Sequence, residues 1–262
     1  MVLVNIDMNI ALIMGGQPRF TESFLILMNQ LHGFENADIY ACFWKDEEWA
    51  KTPEEAREKI ESILDPRYQL MNLAYFEQPE KEPPTKRVYT DKGVDTVPWA
   101  YKRRHGMWLS TAMAYSIVNR KYDLIIKCRP DGRLDGDLNL ALLEMPDRLL
   151  FPKFPKFGMV GKETNDQFVI GTHEGMQFYC DMVHHIDEYI PEVCGWWEDE
   201  YWEWMSEALL RHHFEKNGWN YVEGDFSHIL KAEGRSKFDD GRDRDIIPIG
   251  RDPTTDPTDD PS

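Results

Sequence analysis

The stretch Tyr122-Asp-Leu-Ile-Ile-Lys-Cys-Arg-Pro-Asp131 decides how this chain folds. Leu124, Ile125 and Ile126 form a short continuous apolar run, the pattern of a strand covered on both faces in an α/β sheet. Pro130 has no N–H to give to a ladder, so pairing should stop close to it, and Arg129 and Asp131 should emerge at the carboxyl edge of the sheet. Open α/β sheets bind their ligands at that edge. A guanidinium and a carboxylate delivered together suit a phosphate-bearing ligand, the arginine taking the anion and the acid holding a divalent cation. The plain alternative is a strand-ending turn in which the two side chains pair with neighbours.

Upstream, the apolar run Ile10-Ala-Leu-Ile-Met14 breaks at Gly15-Gly-Gln-Pro-Arg19, which predicts a first strand, a glycine-containing loop and a helix over residues 20–31. Asp38-Ile-Tyr-Ala-Cys-Phe-Trp44 is rich in strand-favouring residues and predicts the second strand. Thr52-Pro-Glu-Glu55 opens a helix to about residue 64, with Thr52 as N-cap, Pro53 at the first helical position and Glu55 closing a capping box. A third strand lies within residues 68–76. The polar, proline-containing residues 77–97 are too long for an ordinary connection and are expected to be a functional loop or disordered. Met107, Trp108, Met113, Ala114, Ile117 and Val118 recur at helical spacing, which places a helix over residues 99–120.

Downstream, Leu149-Leu-Phe-Pro-Lys153 and Gln167-Phe-Val-Ile-Gly171 read as short strands, the second leading into a helix over about residues 174–189. A tryptophan-rich helix over about residues 198–214 ends at Asn217-Gly218, where glycine fits a C-cap, and Trp219-Asn-Tyr-Val222 reads as a last strand. Strands alternating with helices imply an α/β single domain with a mostly parallel central sheet flanked by helices and a helical, Trp-rich C-terminal part. The acidic residues 236–262, ending in Asp252-Pro-Thr-Thr-Asp-Pro-Thr-Asp-Asp-Pro-Ser262, have the composition of a flexible tail.

The chain has 262 residues, 42% of them hydrophobic, enough for one well-buried α/β domain. A formal charge of −17 excludes a general nucleic-acid binder. A small anionic ligand needs only a local positive patch, and Lys86-Arg87 and Lys102-Arg103-Arg104-His105 are the basic clusters available, the alternative being that they are solvated. Cys42, Cys128, Cys180 and Cys194 are far apart and suggest buried thiols rather than zinc or disulfides. No run reaches the roughly 18 to 20 apolar residues of a membrane span, and the start lacks signal-peptide features, so a cytoplasmic protein without a transmembrane segment is expected.

Several constellations carry chemistry. Gly15-Gly-Gln-Pro-Arg19 lacks the Gly-Lys-Ser/Thr ending of a Walker loop and is not Gly-x-Gly-x-x-Gly. Its glycines would let the backbone approach a nucleotide and Arg19 meet a phosphate, or it is a plain turn. Asp135-Gly-Asp137 has two acids that can reach one cation, but it is also ordinary turn chemistry, and Asp131 lies nearer the strand end. Asp166 stands at the start of a strand as a candidate base or as a cap. Glu207 points into the site from its helix or into solvent. The pairs His184-His185 and His212-His213 lack the spacing of a zinc helix. Trp196, Trp197, Trp202, Trp204 and Trp219 would stack on a sugar ring or fill the core.

In order along the chain, Ile10-Ala-Leu-Ile-Met-Gly-Gly-Gln-Pro-Arg19, Asp38-Ile-Tyr, the helix with Trp108 and Ser110, the Tyr122 to Asp131 stretch, Asp166-Gln-Phe-Val-Ile-Gly171, and Glu207 with Leu210 and His213 resemble GT-A-like, nucleotide-sugar-dependent glycosyltransferases of bacterial polysaccharide loci and large viruses. The resemblance spans about residues 8–220. It implies a GT-A-like domain over residues 1–235, with a nucleotide-binding half of about residues 1–135 and an acceptor half of about residues 136–235. It further implies a nucleoside diphosphate sugar donor, a glycan or glycoconjugate acceptor, and hexosyl transfer between them. Gly15, Gly16, Gln17, Arg19, Arg103, Arg104 and Arg129 would bind the donor, Asp131 would hold Mn2+ or Mg2+, and Asp166, Arg129 and Glu207 would be catalytic. The chain departs from the Asp-x-Asp pattern of such enzymes by offering one acid, Asp131. The alternative is a non-catalytic carbohydrate- or protein-binding module on the same fold.

Overall fold

The apolar run Ile10 to Met14 forms the heart of β1 (Ile10–Gly16), with Ala11, Leu12, Ile13 and Met14 fully buried. The computed structural model describes residues 9–20, 22–31, 37–80, 97–135, 149–152, 166–193, 206–224 and 226–230, all within one compact unit, Met1–Lys231. The residues expected to form a long functional loop lie largely outside these, as do Cys194, the four tryptophans from Trp196 to Trp204 and the acidic tail.

After β1 the order is α1 (Glu22–Gln30), β2 (Asp38–Trp44), α2 (Pro53–Ile63), β3 (Gln69–Phe76), α3 (Val97–Ser116) and β4 (Leu124–Cys128). Then come β5 (Gly132–Asp135), β6 (Leu149–Pro152), β7 (Val169–Gly171), α4 (His173–Val193), α5 (Ser206–Asn217), β8 (Tyr221–Gly224) and β9 (Ser227–Leu230). Thr52 caps α2 as expected, its hydroxyl accepting from the Glu55 N–H at 3.2 Å. The Glu55 carboxylate, however, accepts from the N–H of Lys51 rather than that of Thr52, so the box closes one residue early. Gly218 ends α5 at φ 64°, the left-handed geometry of a glycine C-cap.

Seven strands make one sheet in the order β3-β2-β1-β4-β7-β6-β8. β1 pairs in parallel with β2 and β4, and β2 with β3. β7 is antiparallel to both β4 and β6, and β8 runs parallel to β6, so the sheet is mixed and mostly parallel, consistent with GT-A-like architecture. Antiparallel pairing means that β6 ends and β7 begins at the same edge of the sheet. β5 and β9 form a separate antiparallel pair that the sequence pattern did not disclose. Asp135 is the last residue of a strand, opposite Ser227, while Gly136 and Asp137, where the turn reading would be decided, lie outside the described residues.

Two apolar layers cover the sheet. Leu12, Met14, Ile39, Ala41, Ile126 and Cys128 face Phe24 and Leu27 of α1 and Ala56 and Ile60 of α2. Ala11, Ile13, Tyr40, Cys42 and Ile125 face Trp108 of α3, Tyr179 of α4 and Phe214 of α5. Burying one such side chain contributes about 1.5 to 3 kcal/mol. The layout has a directional consequence. α1 and α2 carry the chain outward from β1 to β3 over one face, whereas α3 brings it back over the other face to β4, on the far side of β1. The order therefore reverses between β1 and β4, and a crevice opens beyond their carboxyl ends.

At the amino edge, the Asp38 carboxylate accepts from Arg120 and from the Tyr122 hydroxyl, with the Tyr40 hydroxyl 2.8 Å from that of Tyr122. This lattice ties β2 to the segment entering β4. At the carboxyl edge, a Cβ on Gly15 would lie 2.8 Å from the backbone of Ser110 and of Thr111. The lack of a side chain there is what lets α3 settle on β1. Gly15→Ala is accordingly expected to destabilise the fold by about 1 to 3 kcal/mol, read from urea denaturation, because backbone cannot move aside as a side-chain tip can.

Candidate functional site

Met14 stands opposite Cys128 in the β1–β4 ladder, so Gly15-Gly16 and Arg129-Pro-Asp131 leave neighbouring strands at the same edge. Val169 stands opposite Lys127, so the antiparallel β7 begins there too and places Asp166 beside them. The Gly15 to Arg19 turn and the residues that follow β4 therefore lie side by side. Gly16, at φ 107°, turns the chain through a conformation that only glycine adopts readily. Beyond it Gln17 and Arg19 are exposed, with the Arg19 N–H donating to the Gln17 carbonyl at 2.8 Å.

Asp131 and Arg129 meet as a two-point pair, Nε to Oδ1 at 2.8 Å and Nη2 to Oδ2 at 2.6 Å. Their side chains are 14% and 24% exposed, so the pair is poorly screened by water. Burial pushes the Asp131 carboxyl up, but the hydrogen-bonded Arg129 guanidinium, joined by the charge of Arg19, holds it below the ordinary carboxylate value. Burial likewise works against the Arg129 charge, and Asp131, Asp166 and Glu207 together more than offset it. Arg129 is thus the cation on which the three carboxylates singled out in the sequence act.

Asp166 is 2% exposed. Its carbonyl accepts from the Lys127 ammonium and, at 2.9 Å, from the Tyr179 hydroxyl. Glu207, in the first turn of α5, is only partly buried. The Tyr179 ring packs 5.0 Å from that of Trp108, whose indole N–H is buried without a partner among the described residues. The backbone of Arg103 and Arg104 lies in α3, while their side chains fall outside the described residues.

Other candidates are elsewhere or engaged. His213 hydrogen-bonds the Phe178 carbonyl through Nε2 at 3.1 Å and the Tyr189 hydroxyl through Nδ1 at 2.9 Å, and burial pushes its pKa down to about 4. It is a neutral packing residue at neutral pH. Trp219 stacks on Phe178 with ring centroids 4.2 Å apart. Cys42, Cys128 and Cys180 are buried thiols, as expected. Among the described residues no three His, Cys, Asp or Glu side chains are grouped to hold a metal ion. At the crevice Asp131 offers a single carboxylate, which Arg129 occupies. Among those residues, too, no helix is long and apolar enough to cross a membrane.

Lys127 and Tyr179 were missed by sequence reasoning. Lys127 left a trace, one charge within a strand whose five residues are all buried. Tyr179 left none, since a tyrosine on an amphipathic helix has no distinguishing pattern.

No family model matches the chain, and no curated protein matches it. Among solved structures, the chain is similar to the apo-form glycosyltransferase GlyE of Streptococcus pneumoniae TIGR4, with 13% identity, a TM-score of 0.42, and coverage of 82% of this chain and 45% of that one. A second structure of GlyE from the same organism gives 10% identity and a TM-score of 0.42, with coverage of 83% of this chain and 46% of that one. The chain spans less than half the length of these structures.

Replacing Asp131 by Asn removes the partner of a half-buried guanidinium. Asp166 and Glu207 keep part of the compensation, so the expected loss is about 2 kcal/mol at pH 7. Because the folded-state pKa of Asp131 is depressed, its contribution is present above its unfolded value and is lost as pH falls through the folded one. Urea midpoints of wild type and Asp131→Asn should therefore differ at pH 7, begin to converge as pH falls below about 3.8, the unfolded value, and meet only below the folded one.

Proposed function

We propose that the protein transfers a sugar from a nucleoside diphosphate sugar to a hydroxyl of a glycan or related acceptor. One observation carries the reading: the Gly15 to Arg19 turn, Arg129, Asp166 and Glu207 come together at the carboxyl edge, in the crevice between β1 and β4. That is where sheets of this kind hold nucleotides. The resemblance noted in the sequence supplies the donor and acceptor classes.

In this reading, the bond from the anomeric carbon to the diphosphate oxygen breaks and its electron pair stays on that oxygen. Arg129 and Arg19 stabilise the charge as it builds, from positions set before the reaction starts. The acceptor oxygen attacks the anomeric carbon, and a carboxylate takes its proton. Of the two carboxylates beside Arg129, Glu207 is partly exposed and within reach of an acceptor, whereas Asp166 is sealed and serves to orient Arg129. Asp131 holds the guanidinium in its plane.

A divalent cation at Asp131 remains part of the proposal. One carboxylate completed by donor phosphate oxygens is a ligand set that Mg2+ accepts, and Asp131 would supply it by releasing Arg129. Such an ion would add positive charge against the leaving diphosphate. A second reading, a non-catalytic carbohydrate- or protein-binding module, is favoured by the closed Arg129–Asp131 pair, which leaves no open carboxylate there for metal.

Incubation of the full chain with UDP-, GDP- and ADP-sugars, with Mn2+ and then with EDTA, separates these readings by release of the nucleoside diphosphate. Turnover is expected to fall about 10²-fold or more in Arg129→Ala and by a similar factor in Glu207→Gln. Loss of turnover in EDTA shows that a cation is required, and retention assigns the charge to the arginines. Glycan binding without turnover of any donor, unchanged in Arg129→Ala, rejects the transferase.

A further inference from the structure

Lys127 occupies a place where a charge is costly. It lies in β4 on the face that carries Ile125, opposite Ile13 on one side and Val169 on the other, and is 2% exposed. Its ammonium has no carboxylate oxygen among its hydrogen-bond partners in the described residues and donates instead to the main-chain carbonyl of Asp166. That carbonyl already accepts from Tyr179 at 2.9 Å, so hydrogen-bond satisfaction alone does not call for a lysine. An apolar side chain would fill the strand without desolvating a charge. What the lysine adds is charge and a second tether at the residue that starts β7 and flanks Arg129.

We propose that Lys127 is a positioning residue of the site: with Tyr179 it clamps the Asp166 backbone, and its ammonium, beneath Arg129, keeps Asp166 in place to orient that guanidinium. The groups facing it are Asp166 before β7, Cys128 on its own strand and Arg129 just past its end, and Tyr179 and Cys180 of α4, with Glu207 of α5 reaching Arg129 and Tyr179. Burial lowers the Lys127 pKa from 10.5 to about 8, against the pull of Asp166 and with the push of Arg129. The clamp is therefore charged at neutral pH and discharges within the range where enzymes are assayed.

The sign of the stability effect follows from linkage. Because the folded value lies below the unfolded one, the unfolded state holds more protons between about pH 8 and pH 10.5, and the cost of the buried charge is full below pH 8 and gone above pH 10.5. Lys127→Met should thus be more stable than wild type at pH 7, with an advantage that shrinks from pH 8 to pH 10.5. A lysine that served stability alone would give the opposite result.

The test uses the full chain as wild type, Lys127→Met and Lys127→Arg. The turnover arm rests on the sugar-transfer reading; the other two do not. Urea midpoints across pH 7 to 10.5 are expected to show the pattern just given, and an advantage of Lys127→Met that is absent or independent of pH overturns the proposal. Hydrogen exchange of the amides of residues 166–171 is expected to quicken about tenfold in Lys127→Met, and unchanged exchange overturns it. With the donor that wild type turns over, kcat should fall about tenfold in Lys127→Met with KM little changed. The descending limb near pH 8 should be present in wild type and absent in Lys127→Arg, which stays charged and recovers most of the rate. Equal kcat in wild type and Lys127→Met overturns the proposal. If wild type turns over no nucleotide sugar, the transferase reading falls, while the stability and exchange results still decide whether Lys127 positions Asp166.

Discussion

The parallel ladder between β1 and β4 is the constraint on which the site depends. These strands are adjacent in space but far apart in the chain, and between them the polypeptide has gone outward through β2 and β3 and returned by α3 over the opposite face. Their register sets Met14 against Cys128, and every group that follows either strand inherits that alignment. A slip by one residue would send Lys127 into the other apolar layer and turn Ile126 toward α4. Gly15 guards the same alignment from above, since the backbone of α3 rests where a side chain would otherwise stand.

Charge is handled at this edge by mutual compensation. Arg129 and Asp131 neutralise each other through two hydrogen bonds, Arg19 acts on Asp131, and Asp166 and Glu207 act on Arg129. Buried or half-buried ions of one sign would be intolerable there; alternated, they hold one another in fixed orientations. The arrangement is unlike the amino edge, where Asp38, Arg120, Tyr122 and Tyr40 satisfy one another. That lattice fastens strands. The carboxyl-edge group also has an exposed arginine and a partly exposed glutamate, so one side of it meets solvent.

Much of this was legible beforehand where a local rule applied. The bounds of β2 agree with the sequence reading, because a run of strand-favouring residues ends at polar Lys45 and Asp46. Pro130 marked the end of β4, and Thr52-Pro53 marked the start of α2. The reversal of β7 was not legible, because three apolar residues carry no directional signal. β5 and β9 were missed because each has four residues and the pairing joins Gly132 to Leu230. Asp135 ends the first of these strands.

Within the site, residue types and order along the chain sufficed to nominate Arg129, Asp131, Asp166, Glu207 and Arg19, since polar groups at strand ends have few places to go in an α/β sheet. They did not reveal that Arg129 and Asp131 hold each other, that Asp166 is sealed while Glu207 meets solvent, or that Lys127 and Tyr179 meet on one carbonyl. By itself the sequence determined the strands of the large sheet, though not their directions, and the residues that leave that sheet at its carboxyl edge, because periodicity, proline and capping act within a few residues. Only the tertiary structure decided which charges face one another, because that depends on a register between strands more than a hundred residues apart.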